Sequence, residues 1–274
     1  MKKKRYIKVE VPGLDAEKKE WVPALFADLS ISGIEEKENG VEIFGAEGTL
    51  EVEEIVDILE KKGLEYQLFF IEDQNWNAVW ESSFEPVVVE DQVCIRASFH
   101  EAPKTVKYDL VITPKMSFGT GHHATTWLMV KAMAEMDFAS RTVIDFGTGT
   151  GVLAIFAEKL GAIQVEAIDI DEWSVANALE NCTNNECRNV IIRQDNQLKY
   201  LLPADVVLAN INRNILLENM VSLVEKTREG GSCLMSGLLE GDREIISNQA
   251  VASGFQEAGY WEKDGWIALL FRKN

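Results

Sequence analysis

Cysteine is scarce in this chain: four in 274 residues, at Cys94, Cys182, Cys187 and Cys233. None forms a C-x-x-C pair and the density is far below that of a stapled scaffold, so zinc and disulfide readings are both poor and reduced thiols are expected. Histidine is scarcer still, with three residues. The adjacent His122 and His123 point their side chains apart, and a metal needs three or more converging ligands, so no metal is expected. No apolar run approaches the roughly 18 residues of a membrane span. Met1-Lys2-Lys3-Lys4-Arg5 begins like the first part of a signal peptide, yet the residues after it are charged and alternating rather than apolar. A cytoplasmic location without a membrane partner is the expectation. Positive charge is also short: 27 Lys and Arg stand against 45 Asp and Glu, a net charge of −18. Phosphate binding draws on clustered Lys and Arg, so direct contact with nucleic acid is disfavoured. A basic protein substrate suits the chain better; acidity that merely keeps it soluble is the alternative.

What is present is a glycine-rich turn. Val143-Ile144-Asp145-Phe146-Gly147-Thr148-Gly149-Thr150-Gly151 reads as a strand and loop, with a helix starting at once in Val152 to Leu160. Glycine at every second position lets the backbone turn sharply and approach a ligand with no Cβ in the way. A second strand, Gln164 to Ile168, delivers Asp169 at 169 − 147 = 22 residues past the first glycine, where an acid meets ribose hydroxyls. The dinucleotide fingerprint G-x-G-x-x-G would need glycine at position 152, which is Val152. The G-x-G-x-G spacing instead resembles motif I of class I S-adenosylmethionine-dependent methyltransferases. A tight turn that binds nothing is the bland alternative.

Two domains are expected from length and pattern. Residues 1–72 read as βαββαβ, the ferredoxin-like plan. Tyr6 to Val11 is a strand, Asp15 to Leu29 a helix, Gly33 to Lys37 and Val41 to Phe44 a hairpin around Glu38-Asn39-Gly40, Glu51 to Lys62 a helix and Leu64 to Ile71 a strand. Residues 73–86 form an aromatic, helical connector with Trp76, Trp80 and Phe84 at i, i+4 spacing. Residues 87–274 open with an antiparallel preface of strands at Val87 to Val89, Val93 to Phe99 and Leu110 to Thr113. Alternating βα units follow, which demand a mainly parallel sheet with helices on both faces. A closing hairpin around Lys263-Asp264-Gly265 puts an antiparallel strand into that α/β, Rossmann-like sheet.

Ligands in such a sheet sit at the carboxyl ends of the strands, where the strand order reverses. Gly147, Gly149 and Gly151 are placed to cradle the methionine and ribose portion, and Asp169 to accept from the ribose hydroxyls. Asp171 suits a helix start better than a ligand. Asp195 and Asn196 reach either the adenine amino group or an ordinary polar turn. Asn210, in Ala209-Asn210-Ile211-Asn212, is the candidate for positioning the methyl acceptor, whereas Asn212 suits a helix cap. The segment from Met116 to Thr126 reads as a second ligand-facing loop, with Phe118 on the cofactor. Thr125 and Thr126 suit a helix start, and Thr126 also a hydrogen bond to the cofactor.

F-G-T-G-H-H-x-T-T at Phe118 to Thr126, V-I-D-F-G-T-G-T-G-V-L-A-I, I-D-I-D and D-V-V-L-A-N-I together resemble the bacterial ribosomal protein L-eleven methyltransferase family over essentially the whole chain. The first motif, ending 147 − 126 = 21 residues before the glycine loop, is the more specific. The commoner family form is G-T-H-P-T-T; here His122 and Ala124 stand where the family has Thr and Pro. The resemblance implies methylation of lysine ε-amines and the α-amine of one large-subunit ribosomal protein. It implies S-adenosylmethionine as cofactor, with Thr126, Gly147, Asp169 and Asn210 on it, and the leading domain as the part that recognises substrate. A monomer is expected. Alternatives are a methyltransferase of another protein or a small molecule, and a binding module without catalysis.

Overall fold

A computed structural model describes residues 5–26, 29, 31–46, 52–72, 84–115 and 117–274. The chain divides into two compact units, residues 1–84 and 85–274. The connector read at residues 73–86 lies outside the described residues except for 84–86, and so does Met116.

The first unit runs β1 (Arg5–Pro12), α1 (Ala16–Trp21), β2 (Gly33–Lys37), β3 (Gly40–Ala46), α2 (Val52–Lys61) and β4 (Gln67–Glu72). Its sheet has the order β2-β3-β1-β4 with every pairing antiparallel. Alternation on β1 sends Ile7, Val9 and Val11 inward, where they meet Ile43 of β3 and Ile55 and Leu59 of α2. Helix α1 is much shorter than the periodicity of residues 15–29 suggests. Asp15 caps it by accepting from Lys18 N–H at 2.8 Å, but Pro23 has no N–H to continue the ladder, and a 3₁₀ turn, Pro23–Phe26, takes over. The Asn-Gly signal finds its hairpin for a different reason from the usual one. The two loop residues are Glu38 and Asn39, neither with positive φ. Gly40 is already in β3, where a Cβ would sit 2.1 Å from the carbonyl oxygen of Val11 on the neighbouring strand.

The second unit opens with a small sheet of β5 (Val87–Val89), β6 (Val93–Arg96) and β7 (Tyr108–Val111). The pair β5 and β6 is antiparallel, as the sequence suggests, but β6 and β7 run parallel. The connection through residues 97–107 is long enough to cross over, whereas a tight hairpin would have forced the opposite direction. After α3 (Ala124–Ala134) come β8 (Thr142–Phe146), α4 (Val152–Lys159), β9 (Gln164–Asp169), α5 (Glu172–Asn184), β10 (Val190–Gln194) and β11 (Ala204–Asn210). Then follow α6 (Arg213–Lys226), β12 (Thr227–Leu239), α7 (Arg243–Ser253), β13 (Phe255–Lys263) and β14 (Trp266–Lys273).

The large sheet has the order β10-β9-β8-β11-β12-β14-β13. Strands β8 to β12 are parallel, and β14 enters antiparallel between β12 and β13. The two-residue turn Asp264-Gly265, with φ of 52° and 76°, makes that insertion possible, because left-handed turns match the twist of a hairpin. Apolar residues face both ways from the central strands. Val143 joins a core with α3, α4 and the small sheet, while Ile144 and Phe146 join one with α6 and α7. The chain leaves β8 toward β9 on one side and β11 lies on the other, so a crevice opens above the carboxyl ends of β8 and β11.

Candidate active site

The glycine loop lies in that crevice and is held by the strand beside it. Gly147 and Thr148 N–H both donate to Ile168 O, at 2.9 and 3.0 Å. Gly149 N–H donates to Asp169 Oδ2 at 2.8 Å, and Asp171 N–H to Asp169 Oδ1 at 3.0 Å. The acid at the end of β9 is therefore pinned against the loop. Gly147 and Gly149 have φ of 77° and 54°. A Cβ on Gly147 would lie 2.4 Å from Ile211 Cγ2, and one on Gly149 2.3 Å from the carbonyl oxygen of Phe118.

That second contact marks where the two glycine-bearing motifs join. Thr150 N–H donates to Phe118 O at 2.9 Å and the Thr150 hydroxyl to Gly119 O at 2.7 Å. Asn181 of α5 donates to Thr150 O at 2.9 Å. The loop from Ser117 to His123 is thus clamped over the first turn of α4. His123 caps α3, its Nδ1 accepting from Thr125 N–H at 3.3 Å and lying 2.8 Å from the Thr125 hydroxyl. Its ring packs edge-on against both Phe118 and Trp266, with centroids 5.2 and 4.6 Å away.

These elements enclose a cavity of about 630 Å³. Its wall includes Gly147, Gly149 and Asp169 at one part, Asp195 and Asn196 beyond β10, and Asn210, Phe118, His123 and Trp266 elsewhere. Seven of the ligand-facing candidates read from sequence therefore share one wall: Phe118, Gly147, Gly149, Asp169, Asp195, Asn196 and Asn210. Thr126 and Gly151 are not on it. Thr126 is fully buried behind Asn210, whose Nδ2 lies 3.5 Å from its hydroxyl. Gly151, with φ of 81°, begins α4 where a Cβ would press on Ala178 of α5 at 3.1 Å. Both shape the site from behind. Asp195 also closes its own turn, accepting from Asn196 and Gln197 N–H at 2.7 and 2.9 Å. Asp171 and Asn212 are caps, accepting from Trp173 and Ile215 N–H.

Charge and polarity on the wall are one-sided. Asp169, Asp195 and Glu218 contribute carboxylates, and no described Lys or Arg lines the cavity. The side-chain oxygen Oδ1 of Asn210 is buried without a hydrogen-bond partner, a costly state unless a donor arrives from a ligand. Glycines that a Cβ would jam, a pinned acid and an orphaned acceptor in an acidic cleft fit a nucleoside-type ligand that carries positive charge. Sequence reasoning missed Trp266, Gly237 and the α6 face of Ile215, Glu218 and Asn219 on this wall. The i, i+3, i+4 spacing of the last three was the available signal. Trp266 gave none, since only the insertion of β14 brings it there.

Comparison with known proteins points the same way. Residues 24–274 match the model of the family described as ribosomal protein L11 methyltransferase (PrmA). A protein of that name from Phocaeicola vulgatus is 34% identical over 258 residues, covering 91% of this chain and 92% of the relative. Another from Porphyromonas gingivalis is 42% identical over 202 residues, covering 73% of this chain and 70% of the relative. Among solved structures, a ribosomal protein L11 methylase from Lactobacillus delbrueckii subsp. bulgaricus superposes with a TM-score of 0.64 at 27% identity, over 70% of this chain and 99% of that one. A methyltransferase from Pyrococcus furiosus, at 17% identity and a TM-score of 0.52, shares the fold over 60% of this chain and 89% of its own.

Proposed function

The chain belongs to the ribosomal protein L11 methyltransferase family, and from that premise we propose that it moves methyl groups from S-adenosylmethionine to lysine ε-amines and the α-amine of large-subunit ribosomal protein L11. The observation that carries the reading is the meeting, on one cavity wall, of the glycine loop, the pinned Asp169 and Asn210. When bound there, the cofactor supplies a methyl group already activated by a positively charged sulfur. Gly147 and Gly149 let the backbone lie against it, and Asp169 retains acceptor capacity for ribose hydroxyls. Asp195 and Asn196 stand where β10 ends, on the side suited to the adenine.

The acceptor must arrive as a neutral amine, because an ammonium has no lone pair to attack with. Lysine near pKa 10.4 is protonated in water. Phe118, Ile211, Ile215 and Trp266 on the wall strip water from the side chain, which disfavours its charged form. Asn210 Oδ1 then accepts from an amine N–H and holds the remaining lone pair toward the methyl group. Positioning supplies the rate, so no strong base is needed. The acidic chain suits a basic substrate, and the first unit is assigned to recognising it. Incubation with labelled cofactor and separated ribosomal proteins tests the reading: label on L11 alone supports it, and binding without transfer overturns it.

A further inference from the structure

Two residues before Gly147, β8 carries a carboxyl with no exposed surface, Asp145. Alternation along the strand turns it to the side of Val143, into the apolar cluster of Ala154, Val165, Ala167 and Leu208. Its Oδ2 accepts from the Thr148 hydroxyl, in the glycine loop itself, at 2.6 Å. No hydrogen bond of ordinary geometry reaches its Oδ1, although the Ala154 N–H in the first turn of α4 is near enough to the carboxyl to act on it. No described cation pairs with it; the charged group that acts on it is another acid, Asp169, and the Cys182 thiol lies close enough to feel it. The cavity wall starts at the next two residues, Phe146 and Gly147. Two residues of chain span at most about 7 Å, so Asp145 adjoins the wall along the chain, and with no exposed surface its carboxyl is out of reach of solvent screening.

We propose that Asp145 is the counter-charge by which the cavity distinguishes the sulfonium donor from its uncharged thioether product, an inference that rests on the cofactor reading above. Donor and product share the adenosine and amino-acid portions. Contacts from Gly149, Asp169, Asp195 and Asn210 are therefore common to both and cannot separate them. The fixed positive charge on sulfur is present in one and absent in the other. A buried carboxylate without a cation of its own attracts the first and is indifferent to the second, and low polarisability around it lets that attraction act across the wall. The consequence is donor binding that holds and product binding that lets go.

Linkage gives the idea a second signature. Burial raises Asp145 to about 7, against the opposing pull of the Thr148 hydroxyl and the Ala154 N–H and with a further push from Asp169. A cation arriving beside it favours the ionised form. Donor binding near neutral pH should thus expel a proton that product binding does not.

Calorimetry on the full chain tests this, with S-adenosylmethionine and S-adenosylhomocysteine each titrated in buffers of different ionisation heat. Asp145→Asn is expected to weaken donor binding about tenfold, the factor equivalent to one pKa unit of coupling, and to change product binding by less than about twofold. The extra proton released on donor binding should vanish in that variant, which corrects for titration of the ligand's own amine. Thr148→Val removes the donor that steadies the carboxylate, so it should lower the preference for the donor at pH 7 and restore it at higher pH. This variant decides the matter if Asp145→Asn fails to fold. Equal losses for both ligands, or an unaltered preference in both variants, overturn the inference alone. A wild-type chain that binds neither ligand overturns the cofactor reading with it.

Discussion

Asn210 and Gly149 concentrate the chemistry at the scale of single residues. The amide of Asn210 spends its nitrogen on Thr126 and leaves its oxygen without a partner, so Asn210→Ala should lower both turnover and cofactor affinity. Steady-state methylation of L11 with a parallel binding titration measures this, and unchanged methylation would remove Asn210 from the acceptor site. At Gly149 the obstacle is main chain rather than a movable side chain, because an added Cβ meets the Phe118 carbonyl at 2.3 Å. Gly149→Ala should therefore part the two clamped loops and weaken cofactor binding more than tenfold, roughly the effect of losing two hydrogen bonds. Asp145 makes a residue-scale prediction about stability. Its pKa in the folded chain is about 7 against an ordinary 3.8, so the native state holds this proton more tightly than the unfolded one. The penalty for ionising it is absent below about pH 4, grows as pH rises, and is complete above about 7, at an upper figure on the order of 4 kcal/mol. Urea unfolding should show Asp145→Asn more stable than the wild type at pH 8, with the gap narrowing toward pH 5.

At the scale of elements, caps and turns decide where helices and strands start. Asp171 stands next to the site yet serves α5, accepting from Trp173 N–H and the Ser174 hydroxyl. Asp171→Ala should cost about 1 kcal/mol of stability, the usual loss for a removed cap, while cofactor affinity stays within about twofold because the Asp171 N–H that steadies Asp169 is retained. Denaturant unfolding beside a binding titration separates the two. Helix α6 shows the same division of labour within three residues: Asn210 ends the strand, Ile211 packs on Gly147, and Asn212 caps the helix. Such short-range signals were legible in the sequence. The break of α1 was also written locally, in a proline without an N–H at position 23, whereas the parallel pairing of β6 with β7 was not, since it depends on how the segment packs rather than on its own periodicity.

For the molecule as a whole, a net charge of −18 means self-repulsion that favours expansion. Added salt should raise the melting temperature over the range from about 10 to 150 mM, where the Debye length shrinks from about 30 to 8 Å. Scanning calorimetry at several salt concentrations checks this, and a falling melting temperature would mean that attractive ion pairs outweigh the repulsion. Among attractive contacts, Arg228 and the Thr142 N–H and hydroxyl converge on Asp205 at the far end of the sheet. Burial pushes Asp205 upward, but those three donors outweigh it and hold the group below its ordinary range. Its contribution is present above the unfolded pKa and is lost as pH falls, opposite in sign to that of Asp145.

Local spacing by itself determined the strands, the glycine loop, the acid 169 − 147 = 22 residues later and the caps at Asp171 and Asn212, because turn geometry and capping are settled by neighbours within a few positions. Tertiary structure alone decided which of those residues share a wall. It set Thr126 and Gly151 behind the cavity, brought Trp266 to it through the inserted β14, and enclosed Asp145 among apolar side chains. The physical reason is that exposure and charge environment come from residues distant in the chain, and no periodicity along a strand reports what will be packed against it.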